Sequence, residues 1–420
     1  MPEDPAHSRL VIRRARGRFA AMLVSYCLGV FNDNFFRQTA MLAAVAFGIP
    51  ERQGEIMFVF ALPYLLFASH AGWLADRFPK RRVIISAKAL ELAAMLCGAV
   101  GILAANLWLM GGMVFVMGLQ SAVFGPSLNG SIPELYPAWY VRRAYAIVKA
   151  VVTAMILVGI TAAGWVGRPE IAAGVVLAIS AVGLVASFWV PGRPAADPRK
   201  PLPWSGPIHT VRSLWRMLRD RLLGRAVVAN AYIWFLGAFM IQIVNALADD
   251  AYLGDEALAS MLIGCEMVGV AVGGLLSARL ARGEQWHRVL PPAALAMTAF
   301  MLLMPSTRCL GGDRYLAGMF ALMVAIGVPG GLFMVPCEAF FQIYPPPGSR
   351  GTVIAAANFA SFVGILLAGP AAAPFNLLIK NQRMHPTDVF AVMALPTAAI
   401  GFWLARTLPR QAPAEAGADA

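Results

Sequence analysis

The sequence predicts an all-α polytopic membrane protein of twelve spans in two six-helix halves, and three observations carry that prediction. First, charge is scarce. Of 420 residues, 59% are hydrophobic and 13% charged, where a soluble domain runs about 45–50% apolar and roughly 25% charged. Such a chain cannot cover a water-facing surface, which excludes a soluble enzyme, a nucleic-acid-binding protein and a disordered polypeptide. Second, the apolar residues form long runs rather than alternating strands, which excludes an outer-membrane barrel. Third, the basic residues that give the net charge of +12 sit in short loops between those runs, a membrane-topology pattern.

Each run is close to the length that a spanning helix needs, about 20 residues. Six lie at 19–47, 54–75, 83–105, 107–129, 144–167 and 171–190, and six more at 225–248, 257–280, 289–306, 314–340, 351–378 and 388–406. Assigning alternate loops to opposite sides puts twenty-five Lys and Arg on one side and six on the other. The basic excess marks the cytoplasmic side, and an even number of spans puts both termini there. The basic N-terminus followed by an apolar run is read as a first span, since the run passes Asp33 without a convincing cleavage site. The cysteines show no paired spacing, so no metal site or disulfide framework is expected.

Three domains follow: a six-helix bundle at 1–190, a cytoplasmic linker at 191–224, and a six-helix bundle at 225–420 with a short disordered tail. Within the linker, 208–223 places Val211, Leu214, Trp215, Leu218 and Leu222 on one helical stripe opposite arginines. That is the pattern of a helix lying on the inner leaflet.

The halves repeat. Gly118 to Ile147 aligns with Gly327 to Ala355: Phe124 with Phe333, Tyr136-Pro137 with Tyr344-Pro345, and Arg142 with Arg350. Each segment ends the fourth span of its half and starts the fifth. Parallel six-helix repeats of this kind resemble the major facilitator architecture. Between spans two and three, Gly72 to Arg82 reads GWLADRFPKRR, similar to the loop motif of that superfamily. Gly72, Leu74, Asp76, Arg77, Arg81 and Arg82 match, and Pro79 stands in place of the usual glycine. The resemblance implies a conformational gate at Gly72, Asp76, Arg77 and Arg81, with the aspartate meeting the N-terminal end of span eleven near Gly351. Such a helix end favours a carboxylate. The second half has Ala278 where the aspartate would be, so the latch is asymmetric.

Ionisable groups inside a span are functional candidates by default. Lys88 and Lys149 lie about one turn from the cytoplasmic face, where long stems snorkel, and Glu91 can pair with Lys88 at i,i+3. Two sites are deeper. Asp33 falls near the middle of span one, with Arg37 four residues on and Asn32 and Asn34 on either side. So many polar groups cannot face lipid: they line a cavity or form a self-satisfied pair that fixes helix packing. Glu266 sits near the middle of span eight, as a cavity charge, a proton carrier or a structural group. Pro63, Pro126, Pro329, Pro336 and Pro370 are points where spans break or soften. VGVAVGGLL in span eight reads as a small-residue packing seam.

No Walker A sequence occurs, since no Gly precedes any of the five lysines, and no catalytic constellation is found. The chain is expected to be no enzyme and to need no cofactor or metal.

FNDNFFR (Phe31 to Arg37), PELYP (Pro133 to Pro137), GGLFMVPCEAFFQ (Gly330 to Gln342) and RGTVIAAANF (Arg350 to Phe359) together resemble one branch of the major facilitator superfamily. That branch is the bacterial lysophospholipid transporters, including the transporter region of acyltransferase/acyl-ACP synthetase fusions. Val335, Pro336, Ala339, Gln342, Arg350, Gly351, Ala355, Asn358 and Phe359 are kept; Cys337-Glu338 and Lys149 depart. The resemblance implies a multi-pass protein of the bacterial inner membrane that moves lysophospholipids to the cytoplasmic leaflet by alternating access. Substrate binding or coupling is expected at Asp33, Arg37, Asn32, Asn34, Gln342 and Asn358, with Glu266 added from its depth in span eight; the resemblance further implies membrane lipid and a cytoplasmic acyltransferase/acyl-ACP synthetase as partners. Two other readings stand beside it: proton-coupled movement of another small amphiphile, and a non-transporting membrane partner of a lipid-acylating enzyme.

Overall fold

A computed structural model describes residues 5–408 apart from 137, 193, 205, 282 and 345–349. Among these residues the secondary structure is helical, with thirteen α-helices and no strand. The first six are α1 (Pro5–Ala46), α2 (Gln53–Arg77), α3 (Lys80–Leu103), α4 (Leu107–Leu135), α5 (Ala138–Trp165) and α6 (Pro169–Ser187). Then come α7 (Gly206–Arg219), α8 (Arg221–Asn245), α9 (Glu256–Leu280) and α10 (Leu290–Leu303). The chain ends in α11 (Gly312–Ile343), α12 (Arg350–Lys380) and α13 (Pro386–Thr407). Eleven helical segments are long and apolar enough to cross a membrane, and α5 adds a shorter apolar stretch, Ala150–Trp165. The protein is thus a multi-pass helical membrane protein. Its helices run through Pro63, Pro329, Pro336 and Pro370 without a break, and α4 does so through Pro126.

The chain forms two compact units, Met1–Pro207 and Ile208–Ala420. In the first, α2 packs on α4, α1 on α5 and α3 on α6; in the second, α9 packs on α11, α8 on α12 and α10 on α13. These are the same pairings at the same places in each half, so the sequence repeat is a structural repeat. Missing Cβ atoms allow the closest approaches. In the first unit, a Cβ on Gly159 of α5 would stand 2.7 Å from the Phe31 carbonyl oxygen of α1. In the second, Gly364 of α12 meets the Ala231 carbonyl of α8 in the same way.

The α9–α11 contact is a seam of four glycines. A Cβ on Gly273 would overlap the Val328 carbonyl, and one on Gly269 would stand 3.0 Å from the Gly327 Cα. Gly327 and Gly331 press in turn on the Glu266 and Val270 carbonyls. The expected packing role of the span-eight glycines is therefore met on both helices.

The linker departs from expectation at its end. The stripe was to run from Val211 to Leu222, but α7 stops at Arg219 and Asp220 starts a new helix, its carboxylate accepting from the Leu222 and Leu223 amides at 2.9 and 2.7 Å. An Asp cap ends one helix and begins the next, so Leu222 is buried in the core of the second unit. Val211, Trp215 and Leu218 remain exposed, Trp215 at 62%, while Leu214 and Met217 turn to the core.

Candidate functional site

Successive residues of a helix point about 100° apart, so the polar run of α1 cannot face one cavity. Asn32 is fully buried and looks toward α3 and α6, its amide donating to Glu91 Oε1 at 3.5 Å and the Val176 carbonyl at 3.3 Å. Asn34 donates to the Val30 carbonyl of its own helix at 2.7 Å. Asp33 looks toward α4: Gln120 Nε2 donates to its Oδ1 at 3.3 Å, and the Ser121 hydroxyl donates to Oδ2. Gln120 also donates to Ser121 Oγ at 2.9 Å.

Arg37 makes no ion pair with Asp33 among the described residues. Its guanidinium donates to Asn34 Oδ1 at 2.7 Å and lies 4.5 Å above the centroid of Phe60, a favourable place for a cation. Its Nε is buried without a hydrogen-bond partner. The self-satisfied Asp–Arg ion pair is thus not formed: Gln120 and Ser121 hold the carboxylate, and Asn34 holds the guanidinium.

Lys88 does not snorkel. Its side chain turns into the bundle, 1% exposed, and its Nζ lies 2.7 Å from Glu91 Oε2. The i,i+3 pairing is therefore formed, in the interior rather than at the rim. The space comes from glycine: a Cβ on Gly29 would strike Lys88 Nζ, and one on Gly183 would stand 3.5 Å from it. The ammonium also sits 5.3 Å from the Phe124 ring centroid. Two buried ions are tolerated only when paired and hydrogen-bonded, and the Asn32 amide adds a donor to Glu91. A small cavity bounded by Tyr26, Gly29, Lys88, Gln120, Ser121 and Phe124 joins this pair to the partners of Asp33. Four helices, α1, α3, α4 and α6, thus hold one buried polar cluster.

Sequence reasoning missed Gln120 and Ser121. The available signal was a Gln-Ser pair inside the otherwise apolar fourth span, one turn before Phe124.

Glu266 is half-buried on α9 beside the glycine seam, and Asn358 is exposed on α12. The side chains of Gln342, Arg142, Lys149 and Arg350 lie outside the described residues.

The Gly72–Arg82 segment is tied to residues of its own unit. Lys200 Nζ lies 2.5 Å from Asp76 Oδ2, and the Asp197 amide donates to the Asp76 carbonyl at 3.0 Å. The Trp73 indole donates to the Lys200 carbonyl at 2.9 Å, and Arg81 to the Phe188 carbonyl at 2.7 Å. Gly72 has open space where a Cβ would stand, and Arg77 is half-buried. The segment after α6 is strapped across the loop between α2 and α3.

The family model of the Major Facilitator Superfamily matches residues 17–369. A relative in Klebsiella pneumoniae (strain 342), named lysophospholipid transporter LplT, is 27% identical over 359 residues, covering 83% of this chain and 86% of its own. The protein of the same name in Escherichia coli O1:K1 / APEC is 29% identical over 337 residues, covering 77% and 79%. Among solved structures, the nucleoside transporter NupG superposes with a TM-score of 0.69 at 10% identity, covering 93% of this chain and 98% of that one. A bacterial homolog of the human lysosomal transporter Spinster gives 0.62 at 16%, covering 94% and 97%. At such identities the structures speak for the fold.

Proposed function

The chain belongs to the major facilitator superfamily, and on that premise we propose that it carries lysophospholipids such as lysophosphatidylethanolamine across the bacterial inner membrane to the cytoplasmic leaflet. The movement is by alternating access, and both termini face the cytoplasm. The observation that carries the reading is the separation of Asp33 from Arg37. A zwitterionic headgroup presents an ammonium and a phosphate. Asp33, steadied by Gln120 and Ser121, is set to take the ammonium; Arg37, held over Phe60, takes the phosphate. Lys88 is spent on Glu91 within α3, and Asn32 of α1 donates to that carboxylate, so the pair is tied to α1 through Asn32. Asn34 fixes the Arg37 guanidinium, and Asn32 locks the helices.

The single acyl chain trails through an apolar lateral opening. Gln342 and Asn358 are further candidate substrate contacts, and the Gly72–Arg81 motif with Asp76 works as the conformational gate. A cytoplasmic acyltransferase/acyl-ACP synthetase would then re-acylate the product. The names of the relatives support this substrate. One observation favours proton coupling: Glu266 is a half-buried carboxylate that forms no ion pair among the described residues.

The test is reconstitution in vesicles with fluorescent lysophosphatidylethanolamine and its diacyl counterpart. Inward movement of the lysolipid alone is expected. Equal movement of both lipids, or of neither, would refute the proposal; acceleration by a pH gradient that Glu266→Gln abolishes would assign the coupling to Glu266, and one that only Asp33→Asn abolishes would assign it to Asp33.

A further inference from the structure

Far along α2 from its gate motif, the short helical turn Pro50–Arg52, the start of α2 and the start of α4 enclose a cleft of about 290 Å³, near the lower end of the size of small-molecule sites. It is polar on one wall and apolar on the other. Arg52 lies with its guanidinium 4.6 Å from the Trp108 ring centroid. Glu55 is exposed in the first turn of α2, where the helix dipole favours a carboxylate. Arg52 and Glu55 are not spent on each other: among the described residues no ion pair joins them. Trp108 is 75% exposed. Ile56 and Leu107 complete the apolar side. Gly111 and Gly112, where a Cβ would meet nothing within 4 Å, leave a furrow along α4.

We propose that this cleft is a docking site for the headgroup of a single-chain zwitterionic phospholipid in the outer leaflet. The phosphate is taken by Arg52 and the ammonium by Glu55, and the acyl chain runs down the furrow past Gly111 and Gly112. Charge complementarity selects this occupant: one cation and one anion stand at the mouth of an apolar groove, beside a tryptophan of the kind that settles at headgroup level. The inference rests on the transport reading and adds to it a first encounter, separate from Asp33 and Arg37.

The experiment is uptake of lysophosphatidylethanolamine and lysophosphatidylglycerol by proteoliposomes of wild type, Arg52→Ala, Glu55→Gln and Gly112→Leu. Removing one charge-assisted contact is expected to raise KM about fivefold or more with the maximal rate held within about twofold. Arg52→Ala raises it for both lipids; Glu55→Gln raises it only for the lipid with an amine. Gly112→Leu fills the furrow without touching a charge and raises KM for both. Unchanged KM values, or equal effects of Glu55→Gln on both lipids, overturn the cleft while leaving the transport reading intact. A wild type that moves no lysolipid defeats the transport reading instead. The cleft is then tested by titrating lysophosphatidylethanolamine into 5-fluorotryptophan-labelled protein in nanodiscs. A shift of the Trp108 resonance that Arg52→Ala abolishes supports it, and no shift overturns it.

Discussion

The two units pair their helices alike and fill the contacts differently. In the first, the interior holds Asp33, Lys88, Glu91 and Gln120, none more than 4% exposed. In the second, the corresponding bundle is sealed by Gly269, Gly273, Gly327 and Gly331 pressed on backbone carbonyls, with a core of Phe333, Cys337, Phe340 and Phe341. The first unit has glycine-to-carbonyl contacts too, at Gly159, and the second has a buried Asn230–Ser361 hydrogen bond; the buried Lys88–Glu91 pair is what sets the first apart among the described residues. The polar interior depends on every group keeping its partner, whereas the glycine seam depends on shape. The difference shows that a repeated scaffold admits a buried ion pair in one half without a counterpart among the described residues of the other.

The largest effect is expected at the buried pair. Lys88→Ala leaves Glu91 without its cation and costs about 3–5 kcal/mol, while replacing both members with apolar residues of similar size restores much of the loss. Thermal unfolding in detergent of Lys88→Ala and the Lys88→Met/Glu91→Leu double variant checks this. If the double variant is no better than the single, the pair does more than fill the space beneath Gly29.

The seam comes next. Gly273→Leu drives a side chain into the Val328 carbonyl and costs typically about 1–3 kcal/mol, whereas the same change at Gly237, where no atom lies within 4 Å of a Cβ, is mild. Comparing the two by size-exclusion chromatography after heating separates close approach from a general dislike of bulk.

A smaller effect depends on pH and belongs to the second unit. Burial first, then Arg308, pulls the His385 imidazole below its ordinary 6.5, with Asp388 opposing. The neutral ring caps α13, accepting from the Thr387 amide at 3.2 Å. The folded state therefore binds fewer protons than the unfolded chain, and stability falls as pH drops below about 6.5. His385→Asn, which keeps a capping acceptor, is expected to flatten that slope between pH 5 and 7; an unchanged slope assigns it elsewhere.

The smallest effect is at the strap. Lys200 and Asp76 are both 41% exposed, so Lys200→Ala is worth roughly 0–1 kcal/mol in stability. Its expected consequence is a changed transport rate without a changed melting temperature.

Much of this comparison was legible in the amino-acid sequence. The runs of apolar residues located the spans, the 208–209 offset located the repeat, and VGVAVGGLL identified one side of the seam. Asp33 and Arg37 were visible because charge at mid-span has to have a reason. What could not be read was direction. Lys88 was placed by depth alone, and nothing near it in sequence shows that Gly29 and Gly183, on other helices, leave a hollow for its ammonium. Asn32, Asp33 and Asn34 look alike as a polar run, yet the helical turn sends them to different neighbours. Leu222 fits the amphipathic stripe by spacing, but the Asp220 cap starts a new helix and carries it into the core.

The separation of Asp33 from Arg37 as two binding charges is tested most directly by lysolipid flipping in vesicles holding equal amounts of wild type, Asp33→Asn and Arg37→Ala. Loss of about tenfold or more in lysophosphatidylethanolamine movement by each variant, with folding preserved, is the expected result. Wild-type flipping by both variants would contradict it.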